Sequence, residues 1–110
     1  MPKRTRVYSR TVRHAAALLG AQVRQARVER RWSTRELAER AGISVGTLLR
    51  VERGDPTVSL GVAFDVASLV GVPLYDEEPS RLAPELARAR DRLRLLPQRI
   101  REHGPIDDDF

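Results

Sequence analysis

The side chains able to do covalent chemistry are few, and their types narrow the choices. Two histidines, His14 and His103, lie far apart in the chain, and neither sits in a catalytic spacing. Cysteine is absent, which excludes a disulfide framework and a thiolate zinc site. No glycine-rich phosphate loop is present. Asp107-Asp108-Asp109 is an acidic run, and nothing beside it completes a metal site. Neither an enzymatic activity nor a cofactor is expected. What remains is arginine. Residues 1–54 hold 13 Lys and Arg against 4 Asp and Glu, a balance of +9, whereas residues 55–110 hold 7 against 11, a balance of −4. The chemistry on offer in the first half is ionic and hydrogen-bonding recognition of a polyanion; the second half calls for a different partner.

The elements that must position these arginines are helical. A length of 110 residues suits one compact domain with a tail. The apolar residues are mostly Ala, Leu and Val, with few aromatics, which favours helices over a sandwich. No apolar run approaches the roughly 18 residues of a membrane span, and no signal-peptide core is seen, so a cytoplasmic protein without membrane contact is expected. Residues 1–13 carry five basic side chains and no acid, which predicts a basic arm running into a helix after Ser9. Leu18, Leu19, Val23 and Ala26 recur at helical spacing up to about Arg30. Ser33-Thr34-Arg35-Glu36 is a capping-box pattern that opens a helix over Thr34–Ala41, with Leu37, Ala38 and Ala41 inward. Gly42 stops it. Ser44 opens Val45–Arg53, with Leu48 and Val51 inward, and Gly54 ends it. Ser59 or Thr57 opens Leu60–Val70, and Gly71 ends that helix. Val72–Tyr75 reads as a short extended segment or a single turn.

Two capped helices joined by a tight turn at Ala41-Gly42-Ile43 make a specific arrangement. Gly42 suits a position of positive φ, Ala38 lets the helices cross closely, and Ile43 plugs the gap. The first turns of the second helix are thereby presented outward, as a reader of the major groove requires.

Over Leu18–Tyr75 the chain resembles the Cro/C1-type (Xre) helix-turn-helix repressors. The likeness is carried by Leu37-Ala38, Gly42, Ser44, Glu52-Arg53-Gly54 and the later Leu60…Leu69-x-x-x-Pro73-Leu74. It implies an all-α fold: a five-helix lambda-repressor-like helix-turn-helix domain with a C-terminal extra helix and an acidic tail. The implied divisions are an arm over 1–13, the domain over 14–76, a helical extension over 77–103 and a tail over 104–110.

The resemblance implies double-stranded operator DNA as partner and Ser44, Val45, Gly46, Thr47 and Arg50 as base-contacting residues. Arg50 suits a bidentate contact to guanine, and Val45 or the Thr47 methyl suits a thymine methyl. Many relatives carry larger polar residues than Val45-Gly46, so direct reading rests mainly on Arg50 and Thr47. Thr34 and Arg35 at a helix N-terminus fit phosphate contacts, as do Arg27 and Arg53. Arg27 and Glu52 also match a family pair that links the first and third helices. Lys3, Arg4, Arg6 and Arg10 form the basic arm, set to follow the minor groove or backbone.

In the second half Leu82, Leu86, Ala89, Leu93, Leu96 and Ile100 form an a/d seam, with Pro84 placed in a first turn and Pro97 ending the helix near Leu96. The seam serves either a homodimer or packing onto the chain's own domain. The tail Asp107, Asp108, Asp109 and Phe110 resembles the ends of HipB-like antitoxins, which pair with a HipA-like kinase toxin and repress their own operon. Three readings stay open: an antitoxin and autorepressor, a stand-alone transcriptional regulator, and a protein-binding adaptor with little DNA affinity.

Overall fold

Serine hydroxyls open four of the five helices found in the structure, a computed structural model that describes residues 6–97. Lys3, Arg4, Asp107, Asp108, Asp109 and Phe110 lie outside the described residues, as do Ile100 and His103. Ser9 caps α1 (Arg10–Glu29), Ser33 caps α2 (Thr34–Ala41), Ser44 caps α3 (Val45–Glu52) and Ser59 caps α4 (Leu60–Leu69). In each, the hydroxyl oxygen accepts a backbone N–H of the first turn, an interaction worth about 1 kcal/mol per helix. At α2 the cap is reciprocal, because Glu36 accepts the Ser33 amide at 2.7 Å. The last helix, α5 (Pro79–Leu95), has no side-chain cap and opens on a proline instead.

The first four helices also end alike. In each, an amide reaches back to the carbonyl five residues before it: Trp32 to Arg27, Ile43 to Ala38, Asp55 to Arg50 and Val72 to Ala67. This closure needs a residue at positive φ. Gly42 (φ 70°), Gly54 (φ 78°) and Gly71 supply it after α2, α3 and α4, but Arg31 supplies it after α1, at φ 59°. An arginine there is strained, because its Cβ crowds the backbone.

The core lies where α1 to α4 meet. Leu37, Leu48, Val23 and Val66 are fully enclosed, with Ala38, Val51, Ala67, Val70 and Val72 around them and Leu19, Trp32 and Ile43 packed at the edge. Each such aliphatic side chain contributes roughly 1.5–3 kcal/mol through burial. Trp32 lies between arginines: the Arg40 guanidinium is 4.2 Å and that of Arg30 5.9 Å from its ring centroid.

The contact of α1 with α3 is unusually close. A Cβ placed on Gly20 would lie 2.4 Å from the Val51 carbonyl oxygen and 2.6 Å from that of Glu52. One placed on Gly54 would lie 2.5 Å from Ala17 Cα. Helix α1 therefore rests backbone against backbone on the C-terminal end of α3, and the two glycines are what allow it.

The all-α expectation holds, with three local differences. First, α1 begins at Arg10, so Arg10 belongs to a helix and not to the arm; the Ser9 cap starts it despite the lack of apolar periodicity there. Second, the count of five includes the C-terminal helix, because Val72–Tyr75 forms no helical turn; Tyr75 and Asp76 make a bend with φ of 57° and 59°. Third, α5 begins at Pro79, which puts Pro84 inside the helix rather than in its first turn. The chain divides after Tyr75 into two units. In the second, α5 buries no residue and is laced by Arg81 with Glu77 and Glu85, Arg88 with Glu85 and Arg94 with Asp91. No helix is long and apolar enough to cross a membrane among the described residues.

Candidate nucleic-acid interface

Helix α3 has one face locked and one face bare. Leu48 and Val51 point into the core. Beside them Glu52 receives Arg27: Nε donates to Oε2 at 2.7 Å and Nη2 to Oε1 at 3.1 Å. The Arg27 Nη1 donates to the Trp32 carbonyl at 3.0 Å. The side chains are only 11% and 5% exposed, so this is an enclosed bidentate pair joining α1, the α1–α2 turn and α3. Each guanidinium nitrogen of Arg27 makes one hydrogen bond inside the protein. Arg27 and Glu52 are thus brought together as the pair expected between the first and third helices, which ties Arg27 to α3.

The bare face runs through Ser44, Val45, Gly46, Leu49 and Arg53, all exposed. Val45, Leu49 and Arg53, four apart, form one helical stripe, with Ser44 and Gly46 beside its start. Leu49, at 37% exposed, was not anticipated. The offset of four from both Val45 and Arg53 is the signal that marks it. A Cβ placed on Gly46 would meet nothing beyond its own helix turn closer than Ser44 Oγ at 3.8 Å, so the backbone of the first turn can approach a neighbour closely. Ser44 is engaged as a cap: its hydroxyl accepts the Thr47 amide and donates to Thr47 Oγ1, both at 3.0 Å. The Thr47 hydroxyl keeps its own hydrogen for an outside acceptor. Thr47 itself is half-buried.

Arg50 flanks this stripe and is tied to the loop that follows. Its Nε donates to Asp55 Oδ2 at 2.9 Å and its Nη2 to Thr57 Oγ1 at 2.8 Å. The Thr57 amide and hydroxyl both donate to Asp55 Oδ1. These bonds, the Thr57 hydroxyl first and Arg50 next, hold the Asp55 carboxyl well below the usual carboxylate range.

Two further cations, Arg35 and Arg24, lie near the stripe. Arg35 is exposed at the start of α2, next to half-buried Thr34. Exposed Arg24, from α1, shares a shallow hollow with Thr34, Leu49 and Arg53. Sequence reasoning did not single out Arg24; its place three residues before Arg27, on the same side of α1, was the available clue. Arg6 lies over the Tyr8 ring at 5.2 Å, and Arg10 is exposed in the first turn of α1. Among the described residues no group of three His, Asp or Glu side chains is placed to hold a metal.

Two comparisons bear on this geometry. A family model described as a helix-turn-helix domain matches residues 18–79, more than half of the chain. A relative named an uncharacterized transcriptional regulator in the ATPase CF(0) region of Rhodospirillum rubrum is 33% identical over 66 residues, which covers 60% of this chain and 61% of the relative. The chain thus spans about three fifths of that protein's length. No solved structure matches significantly. With two capped helices hinged at Gly42, the second pinned on one face and open on the other, and with that match across α2 and α3, the chain belongs to the helix-turn-helix domain family.

Proposed function

We propose that this protein is a sequence-specific, double-stranded DNA-binding transcriptional regulator in which α3 enters the major groove. The observation that carries the reading is the two-faced character of α3: an inner side held by Leu48, Val51 and the Arg27–Glu52 pair, and an outer stripe that stays exposed among the described residues. A helix so fixed can present Val45, Gly46, Thr47, Leu49 and Arg50 to base edges in a constant pose. Val45 and Leu49 suit thymine methyl groups, and Thr47 and Arg50 suit hydrogen-bond acceptors. Arg24, Thr34, Arg35 and Arg53 suit phosphates on either side, which set register without reading sequence. The +9 balance of residues 1–54 supplies the long-range attraction.

The Cro/C1-type likeness adds a two-fold operator bound by a homodimer, and the HipB-like likeness adds a role as antitoxin and autorepressor paired with a HipA-like kinase. The first draws on the Leu82–Leu96 seam and the second on residues 107–110. A kinase-like reading frame next to this gene supports the antitoxin role; its absence favours a stand-alone regulator.

The test is selection from a randomised duplex pool with the full chain, followed by titration of the enriched duplex at several salt concentrations. The reading expects a defined consensus and an affinity that falls as salt rises, with a log–log slope of about −0.9 per phosphate neutralised. Failure to enrich any sequence overturns it and favours the adaptor reading.

A further inference from the structure

The loop after the recognition helix is built around one arginine. Asp55 is joined to Arg50 twice: its amide donates to the Arg50 carbonyl at 3.0 Å, and its carboxylate accepts Arg50 Nε. Thr57 completes the enclosure in a forced direction. Its hydroxyl hydrogen goes to Asp55 Oδ1 at 2.7 Å, so its lone pair is what faces Arg50 Nη2. The Thr57 amide donates to the same Oδ1 at 2.8 Å, which pins the carboxylate that pins the arginine.

A guanidinium has two usable forks, one made by Nε with Nη2 and one made by Nη1 with Nη2. Here the first fork is fully taken by Asp55 and Thr57. Nη1 has no protein partner among the described residues, and the Arg50 side chain remains 41% exposed. We infer that Asp55 and Thr57 are positioning residues that hold Arg50 so that only its end-on fork meets a base, and that they thereby set the base preference of α3. The inference rests on the reading of α3 as the groove-entering helix.

The chemistry is selective because the end-on fork offers two donors and no acceptor. Guanine presents N7 and O6, two acceptors, to such a fork; adenine presents an acceptor and an amino donor, which a fixed pair of donors rejects. An unheld arginine can swing to a phosphate and bind any sequence. A held one cannot, so its binding energy goes to base discrimination. As an ion pair this exposed network adds little to stability; what it supplies is direction. Asp55 also places a negative charge near the DNA, which lowers affinity for every sequence alike.

The experiment uses the full chain and a duplex enriched from the random pool, with each guanine replaced in turn by adenine. The discrimination ratio at the most sensitive guanine is measured for wild type, Arg50→Ala, Asp55→Asn, Thr57→Val and Arg50→Ala/Asp55→Asn. Arg50→Ala should abolish the ratio at that position. Asp55→Asn and Thr57→Val should each lower it about tenfold, within the range expected for a bidentate base contact. Asp55→Asn should at the same time raise affinity for unrelated duplex, and should cost nothing further once Arg50 is gone. A ratio unchanged in Asp55→Asn and Thr57→Val, while Arg50→Ala abolishes it, overturns this inference and leaves the function standing. Tighter specific binding by Asp55→Asn with the ratio intact overturns it too, since Asp55 would then be a mere competitor for Arg50. A ratio indifferent to Arg50 removes both the inference and the role of Arg50.

Discussion

Replacing Gly20 with alanine should loosen the grip of α1 on α3, and its size can be worked from the contact. The added Cβ would stand 2.4 Å from one carbonyl oxygen and 2.6 Å from the next, where ordinary contact begins near 3.4 Å. The two helices must part by about an ångström, and both sides of the contact are backbone, so no rotamer change relieves it. Overpacking of this kind costs about 3 kcal/mol, the upper part of its usual range. Alanine returns about 1 kcal/mol through helix propensity, for a net loss near 2 kcal/mol. For a domain of this size that is a fall in Tm of roughly 8–16 °C. Circular dichroism melts of Gly20→Ala beside Gly61→Ala make the comparison clean, because a Cβ at Gly61 meets nothing within 4 Å. Gly61→Ala should be unchanged or up to about 1 kcal/mol more stable. A Gly20→Ala protein as stable as wild type would refute the close approach of α1 and α3.

Three further outcomes follow from the same geometry. Glu52→Gln strands the enclosed Arg27 charge and should cost about 3–5 kcal/mol in chemical denaturation, whereas Arg27→Met/Glu52→Leu together should cost less than the single change. Arg31→Gly relieves a side chain held at φ 59° and should raise stability by about 1 kcal/mol. For Asp55 the folded-state pKa lies below the unfolded one, so its stabilisation is complete above the ordinary carboxylate range and is lost as pH falls through the folded value. The stability difference between wild type and Asp55→Asn should therefore shrink on acidification below about pH 4, seen in melts at stepped pH.

Local features of this fold are legible in the sequence, and tertiary ones are not. The Ser33–Glu36 capping box and the stop at Gly42 appear where their residues predict them, because each is decided within a few residues. The α1 start is marked only by Ser9, since Arg10, Thr11 and Arg13 show no apolar rhythm; that suffices to expect a helix after Ser9 but not to take Arg10 out of the arm. Gly20 gives no local sign of its role, because a glycine within a helix declares nothing about what lies across from it. The Arg27–Glu52 contact was readable only through family likeness, 25 residues apart. Arg50 was read as free because a helix pattern says which face a side chain leaves from, not what meets it. Of its holders, Asp55 carries no sign in the sequence and Thr57 reads only as a possible cap, though the turn that makes them neighbours is announced by Gly54.

The most direct test of the account is amide shift mapping by NMR of the full chain titrated with its enriched duplex. The account predicts the largest perturbations at Val45, Gly46, Thr47, Leu49 and Arg50, flanked by Thr34, Arg35 and Arg53, with α4 little moved. Perturbations centred on α4, with the α3 amides unshifted at saturating DNA, would contradict it.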